Sequence, residues 1–71
     1  MFPERLKELR SQHGYTQKNV ADNLGISERA YQHYELSTRK PDFDGLIKIA
    51  EVYNVSIDYL VGRTNNPNIN L

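Results

Sequence analysis

Apolar residues recur every three or four positions in five short groups: Phe2, Leu6 and Leu9; Val20, Ala21 and Leu24; Ala30, Tyr31 and Tyr34; Leu46, Ile49, Ala50 and Tyr53; Ile57, Leu60 and Val61. That is the period of a helix with one face turned to a core. No segment alternates at period two, so no strand is predicted. The boundaries carry their own signals. Thr16, Ser27 and Ser56 each follow an apolar residue (Tyr15, Ile26, Val55) and stand four before another (Val20, Tyr31, Leu60). A hydroxyl so placed caps the orphan amides of a first turn, and the apolar pair staples the entry. Asp42 after Pro41 is a further cap, and Pro3 suits an opening turn. Gly14, Gly25 and Asn54 are the stops, because they tolerate the left-handed conformation that ends a helix. The prediction is an all-α, compact five-helix bundle, with helices over 3–13, 17–24, 28–36, 43–53 and 57–61.

Length and composition narrow this picture. A chain of 71 residues makes one small domain, read as residues 1–63, with 64–71 as a flexible C-terminal tail or the start of a linker. There is no cysteine, so neither a disulfide nor a thiolate metal site is expected. No apolar run reaches membrane-spanning length, and MFPERLKELR carries charge where a signal peptide needs apolar residues, so a cytoplasmic location is expected. The 9 basic and 9 acidic residues cancel, but unevenly. Arg10, Lys18, Arg29, Arg39 and Lys40 face Asp22, Glu28 and Glu35 in the middle; beyond residue 41, Lys48 and Arg63 face Asp42, Asp44, Glu51 and Asp58. A mildly basic middle permits a nucleic-acid surface, and equally an uneven solvated one.

The connection Gly25-Ile26-Ser27 is too short for a hairpin and makes the second and third helices cross steeply. Ala21 and Ala30 supply the small residues that a close crossing needs. On these residues the segment resembles the helix-turn-helix of the Cro/repressor (XRE-like) DNA-binding family. Gln17 opens the second helix, Ala21 is the small residue, Gly25 the turn, Ile26 the apolar turn residue, and Tyr31 and Tyr34 the buried positions. FPERLKELR is similar to the family's first helix, and KPDFDGLIKIAEVYNVSIDYLVGR to its fourth and fifth, so the likeness covers about residues 2–63. It implies a lambda-repressor-like bundle. Leu36-Ser37 departs from the family's usual Asn-Gly. A left-handed turn costs Ser more than Gly, so the loop 36–40 is expected to take another shape. Asn54 replaces a usual glycine, a milder change.

On a helical wheel Ala30, Tyr31 and Tyr34 point one way; Glu28, Arg29, Gln32 and Leu36 point the other, with His33 at the edge. Arg matches the guanine O6/N7 edge, Gln the adenine N6/N7 edge, and Glu accepts from cytosine N4. By itself such a face is also what any solvated helix shows. The resemblance makes it the recognition helix, so Glu28, Arg29, Gln32 and His33 are the expected base readers. Free amides at the start of the second helix attract a phosphate, which brings in Thr16, Gln17 and Lys18; the family's phosphate-binding Gln falls at position 17. Ser27, Arg39 and Lys40 complete the expected backbone contacts, although the last two equally suit a solubilising loop. Glu35, in the last turn of its helix, opposes the dipole and calls for a cation. In relatives an Arg of the first helix pairs with this Glu, so Arg10 and Glu35 are read as a structural ion pair.

The resemblance further implies a homodimer on a near-palindromic double-stranded operator, with Ile57, Tyr59 and Val61 as contact candidates. The same residues would also cap a monomer core. No cofactor or small-molecule site is evident. His13 and His33 lack carboxylates at motif spacing and no glycine-rich phosphate loop appears, so an enzyme is not expected. His13 suits the C-terminal end of a helix dipole. The function expected is a sequence-specific transcriptional regulator, a repressor, encoded by a prokaryote or phage and associated with the nucleoid. The alternative is an antitoxin or other protein-interaction module on the same fold.

Overall fold

The computed structural model describes residues 2–68. Among them are five helices and no strand: α1 (Phe2–His13), α2 (Gln17–Leu24), α3 (Glu28–Glu35), α4 (Phe43–Tyr53) and α5 (Ile57–Leu60). The bounds depart from the sequence reading by one residue at the start of α1 and at the ends of α3 and α5. Each sequence-read cap is made. Thr16 Oγ1 accepts from Asn19 N at 3.0 Å, Ser27 Oγ from Ala30 N at 3.1 Å, Asp42 Oδ1 from Gly45 N at 2.8 Å and Ser56 Oγ from Tyr59 N at 3.0 Å. At α2 the cap is reciprocal, since Asn19 Oδ1 accepts from Thr16 N at 3.2 Å. Helices α1 to α5 each close with a left-handed residue, directly after α1, α2 and α4 (Gly14, Gly25, Asn54) and one residue later after α3 and α5 (Ser37, Gly62), and the next amide reaches back to a carbonyl five residues earlier.

The third of these closures corrects the expectation for the loop 36–40. Ser37 takes the left-handed turn at φ 66° although it is not glycine. Thr38 N bonds to His33 O at 3.1 Å and Ser37 N to Tyr34 O at 3.4 Å, and these bonds offset the steric cost at Ser37. The loop therefore keeps the shape that glycine would give it.

One core joins the helices. Leu6 and Leu9 of α1, Val20, Ala21 and Leu24 of α2, Tyr31 of α3, Ile49, Ala50 and Tyr53 of α4, Val55, and Tyr59 and Leu60 of α5 are buried together. Ala21 is fully buried at the α2–α3 corner, whereas Ala30 is half-buried. The phenols of Tyr31 and Tyr53 enter the core with their hydroxyls sharing a hydrogen bond at 3.0 Å, so neither polar atom is stranded. In the segment beyond residue 63, Pro67 O accepts from Ser56 N at 3.0 Å, and Asn68 N donates to Asn66 Oδ1 at 3.1 Å. Residue 1 and residues 69–71 lie outside the described residues.

Candidate nucleic-acid interface

Helix α3 has two faces with opposite chemistry. Its inner face is anchored by Glu35, which is 2% exposed. Arg10 grips that carboxylate with both arms of its guanidinium, Nε to Oε2 at 2.7 Å and Nη2 to Oε1 at 3.2 Å, and Nη1 also reaches the Tyr15 carbonyl at 3.3 Å. Gln17 Nε2 donates to Glu35 Oε1 at 3.2 Å. Burial alone would push the Glu35 carboxyl up; hydrogen bonds from Arg10, Tyr31 and Gln17 outweigh it and hold the group below its ordinary value. Burial pushes the phenols of Tyr31 and Tyr53 up. One charged centre thus joins α1, the start of α2 and the end of α3.

The outer face is open. Glu28 and Arg29 are exposed, and Gln32 is half-buried. Among the described residues, Glu28, Arg29, Arg39 and Lys40 enter no ion pair, so three cations stand at α3 and just past its end without a protein partner. Ser27, Arg29, Ala30, His33 and Arg39 line a shared open concavity of about 430 Å³ on this side. Arg39 N bonds to the His33 carbonyl at 3.3 Å, which brings the start of the loop back against the helix.

Several site residues sit differently from a freely solvated reading. His33 is tied through Nδ1 to Thr38 Oγ1 at 2.8 Å. Lys18 lies 3.6 Å from Asp22, an exposed pair one helical turn on that contributes little. Gln17 is half-buried and committed at one amide hydrogen to Glu35, leaving a second to donate. The dimer candidates divide. Tyr59 is 8% exposed, with the Arg5 guanidinium 4.0 Å from its ring centroid, so its own domain covers it and it is corrected to a core residue. Ile57 and Val61 are half-buried. His13 ends α1 with Nδ1 at 2.9 Å from the Leu9 carbonyl and its ring against Tyr15 and Tyr53. Sequence reasoning missed Thr38, whose partner His33 becomes apparent only once Ser37 is known to turn left-handed.

Among the described residues, no group of three or more His, Asp or Glu could hold a metal ion, and no helix is long and apolar enough to cross a membrane. What the geometry defines is a two-helix corner of α2 and α3, joined by a three-residue turn, that leaves Arg29 of α3 and the following Arg39 and Lys40 exposed, a helix-turn-helix domain. A family model for the helix-turn-helix matches residues 6–60, and the chain belongs to that family, of XRE type. It is 46% identical over 69 residues to the uncharacterized HTH-type transcriptional regulator YqaE of Bacillus subtilis, covering 97% of this chain and 60% of that protein. It is 48% identical over 60 residues to the HTH-type transcriptional regulator ImmR of the same organism, covering 84% and 47%. The chain thus spans 60% or less of the length of these two relatives. Its fold is similar to that of the P22 c2 repressor solved in complex with a synthetic operator, with a TM-score of 0.80 and 25% identity over 84% of this chain and 91% of that one.

Proposed function

We propose that this chain is a sequence-specific double-stranded DNA-binding transcriptional regulator, a repressor, that lays α3 in the major groove. The observation that carries the reading is the division of α3: one face locked to the scaffold through Glu35, the other presenting unpaired Arg29 beside Gln32. The names of ImmR and YqaE as transcriptional regulators support it, as does the likeness to a repressor held on its operator. In this reading Arg29 and Gln32 donate to purine edges, Glu28 accepts from cytosine, and His33 adds a further base contact. The amides of Gln17 and Lys18 have no acceptor within their helix, so with the Thr16 hydroxyl and the second amide hydrogen of Gln17 they receive a phosphate. Ser27, Arg39 and Lys40 hold the backbone beyond, and Lys18 releases Asp22 to join them.

Two copies, meeting through Ile57 and Val61, would place two α3 helices about 34–36 Å apart on a near-palindromic operator. The protein would act in the cytoplasm, at the nucleoid, as its bacterial relatives' names as regulators suggest. Selection of bound sites from random duplexes is the decisive experiment. A palindromic consensus is expected, and Arg29→Ala and Gln32→Ala should each cost about 1–3 kcal/mol at the selected site with the melting temperature unchanged. Recovery of no preferred sequence, or unaltered selectivity in both variants, would move the reading to a protein-interaction module.

A further inference from the structure

Resting on that reading, we propose that Leu36 is a further specificity-determining residue: its side chain meets the 5-methyl group of a thymine in the major groove, about two to three base pairs beyond the base that Arg29 reads. Two large apolar side chains are open to water among the described residues, Leu36 at 64% and Phe43 at 71%. A leucine in water means little by itself, so its place in the fold decides. Phe43 opens α4 between the carboxylates of Asp42 and Asp44, which a phosphate backbone avoids. Leu36 ends the face that carries Arg29 and Gln32, and the exposed cations Arg39 and Lys40 follow it.

The helical path runs on through Leu36. Its φ is −86° and its ψ −3°, and its amide donates to the Gln32 carbonyl at 2.9 Å, so residue 36 keeps the helical register although α3 ends at Glu35. At about 100° per residue, the seven steps from Arg29 to Leu36 fall roughly 20° short of two full turns and advance about 10.5 Å along the axis. The two side chains therefore stand nearly in line, with Gln32 between them. Glu35 is locked to Arg10, so the end of the helix cannot roll and Leu36 stays turned outward. With a rise of about 3.4 Å per base pair and a groove oblique to the duplex axis, 10.5 Å along α3 is roughly two to three base pairs. The major-groove edge offers donors, acceptors and one apolar group, the thymine methyl. Leucine has neither donor nor acceptor, and pressed on an amino or carbonyl group it would desolvate that group without replacing its hydrogen bond. Against the methyl it removes apolar surface on both sides from water. The stripe thus reads polar edges at its start and a methyl at its end.

The test starts from the duplex that the wild type selects. Each thymine of the half-site is replaced in turn by deoxyuridine, which lacks only the methyl. One replacement, about two to three base pairs from the position that Arg29→Ala relaxes, should weaken wild-type binding about three- to fivefold. Leu36→Ala should bind the thymine and deoxyuridine duplexes equally, with the melting temperature unchanged, since this side chain is open in the free protein. Leu36→Met, which keeps an apolar side chain, should retain the preference for the methyl. A deoxyuridine penalty that persists in Leu36→Ala, or no penalty at any thymine, overturns the proposal. So does a Leu36→Ala variant weakened alike for every sequence, which would set Leu36 against the sugar–phosphate backbone and leave DNA binding intact. If no duplex is selected, the DNA reading falls and the methyl contact with it.

Discussion

The two faces of α3 contrast within eight residues of chain. Inward, every polar group is answered: Glu35 by Arg10 and Gln17, the Tyr31 hydroxyl by Tyr53. Outward, Arg29 has no ion-pair partner among the described residues, and Arg39 and Lys40 follow in the same condition. A buried charge without a partner costs several kcal/mol, whereas an exposed one costs almost nothing. The inner face therefore has to be complete for the domain to fold, and the outer face is free to be complementary to something else. Substitutions on the two sides should therefore separate stability from binding.

Arg10→Ala should be the most damaging. It leaves Glu35, 2% exposed, without its cation, and the expected loss is about 3–5 kcal/mol by chemical denaturation. Glu35→Ala should cost less, about 1–3 kcal/mol, because Arg10 keeps 26% of its side-chain surface and can turn to water. No loss in either variant would show that the pair does not anchor α3. Acid should produce the same effect in the wild type. The Glu35 carboxyl is held below its ordinary 4.5 in the folded chain, so the unfolded chain binds the proton first as pH falls. The stability from this group is thus full above about pH 4.5 and is lost below it, as pH falls through the folded value. Glu35→Gln should flatten that acid limb. If its acid limb matches the wild type's, another carboxylate controls it.

On the open side the expected effect lies in binding alone. Arg39→Ala and Lys40→Ala should leave the denaturation midpoint where it is. Each should make the dependence of log affinity on log salt shallower by about 0.9, because one phosphate fewer is neutralised. A loss of stability in either variant, or an unchanged salt slope, would place these cations in the scaffold or in free solvent and dissolve the contrast.

How far the sequence showed this depends on the range over which each feature is decided. The caps at Thr16, Ser27, Asp42 and Ser56 and the stops at Gly14, Gly25 and Asn54 were legible because each is settled within a few residues of chain. The outward set of Glu28, Arg29 and Gln32 followed from helical period. The bond between Tyr31 and Tyr53 spans 22 positions and that from Gln17 to Glu35 spans 18; both exist only after α2, α3 and α4 have packed, so no local rule exposes them. Tyr59 shows the same limit from the other side. Its position on a short terminal helix suited a contact surface, and only the fold brings Arg5 of α1 over its ring.

Ser37 tests the smallest margin. The backbone there sits at φ 66°, where a Cβ costs roughly 1–2 kcal/mol. Three hydrogen bonds hold the turn in place: Thr38 N to His33 O, Ser37 N to Tyr34 O, and one between Thr38 Oγ1 and His33 Nδ1. Glycine would remove the strain but would also give the unfolded chain more freedom to lose. The two effects oppose, and Ser37→Gly should leave a net gain of about 0.5–1 kcal/mol, since relief of the left-handed strain is the larger. Because the hydrogen bonds already impose the turn, the loop should keep its course and DNA affinity should stay the same. A stabilised variant with altered affinity would mean that the serine hydroxyl itself touches the DNA, and would move residue 37 from the scaffold side of the contrast to the open side.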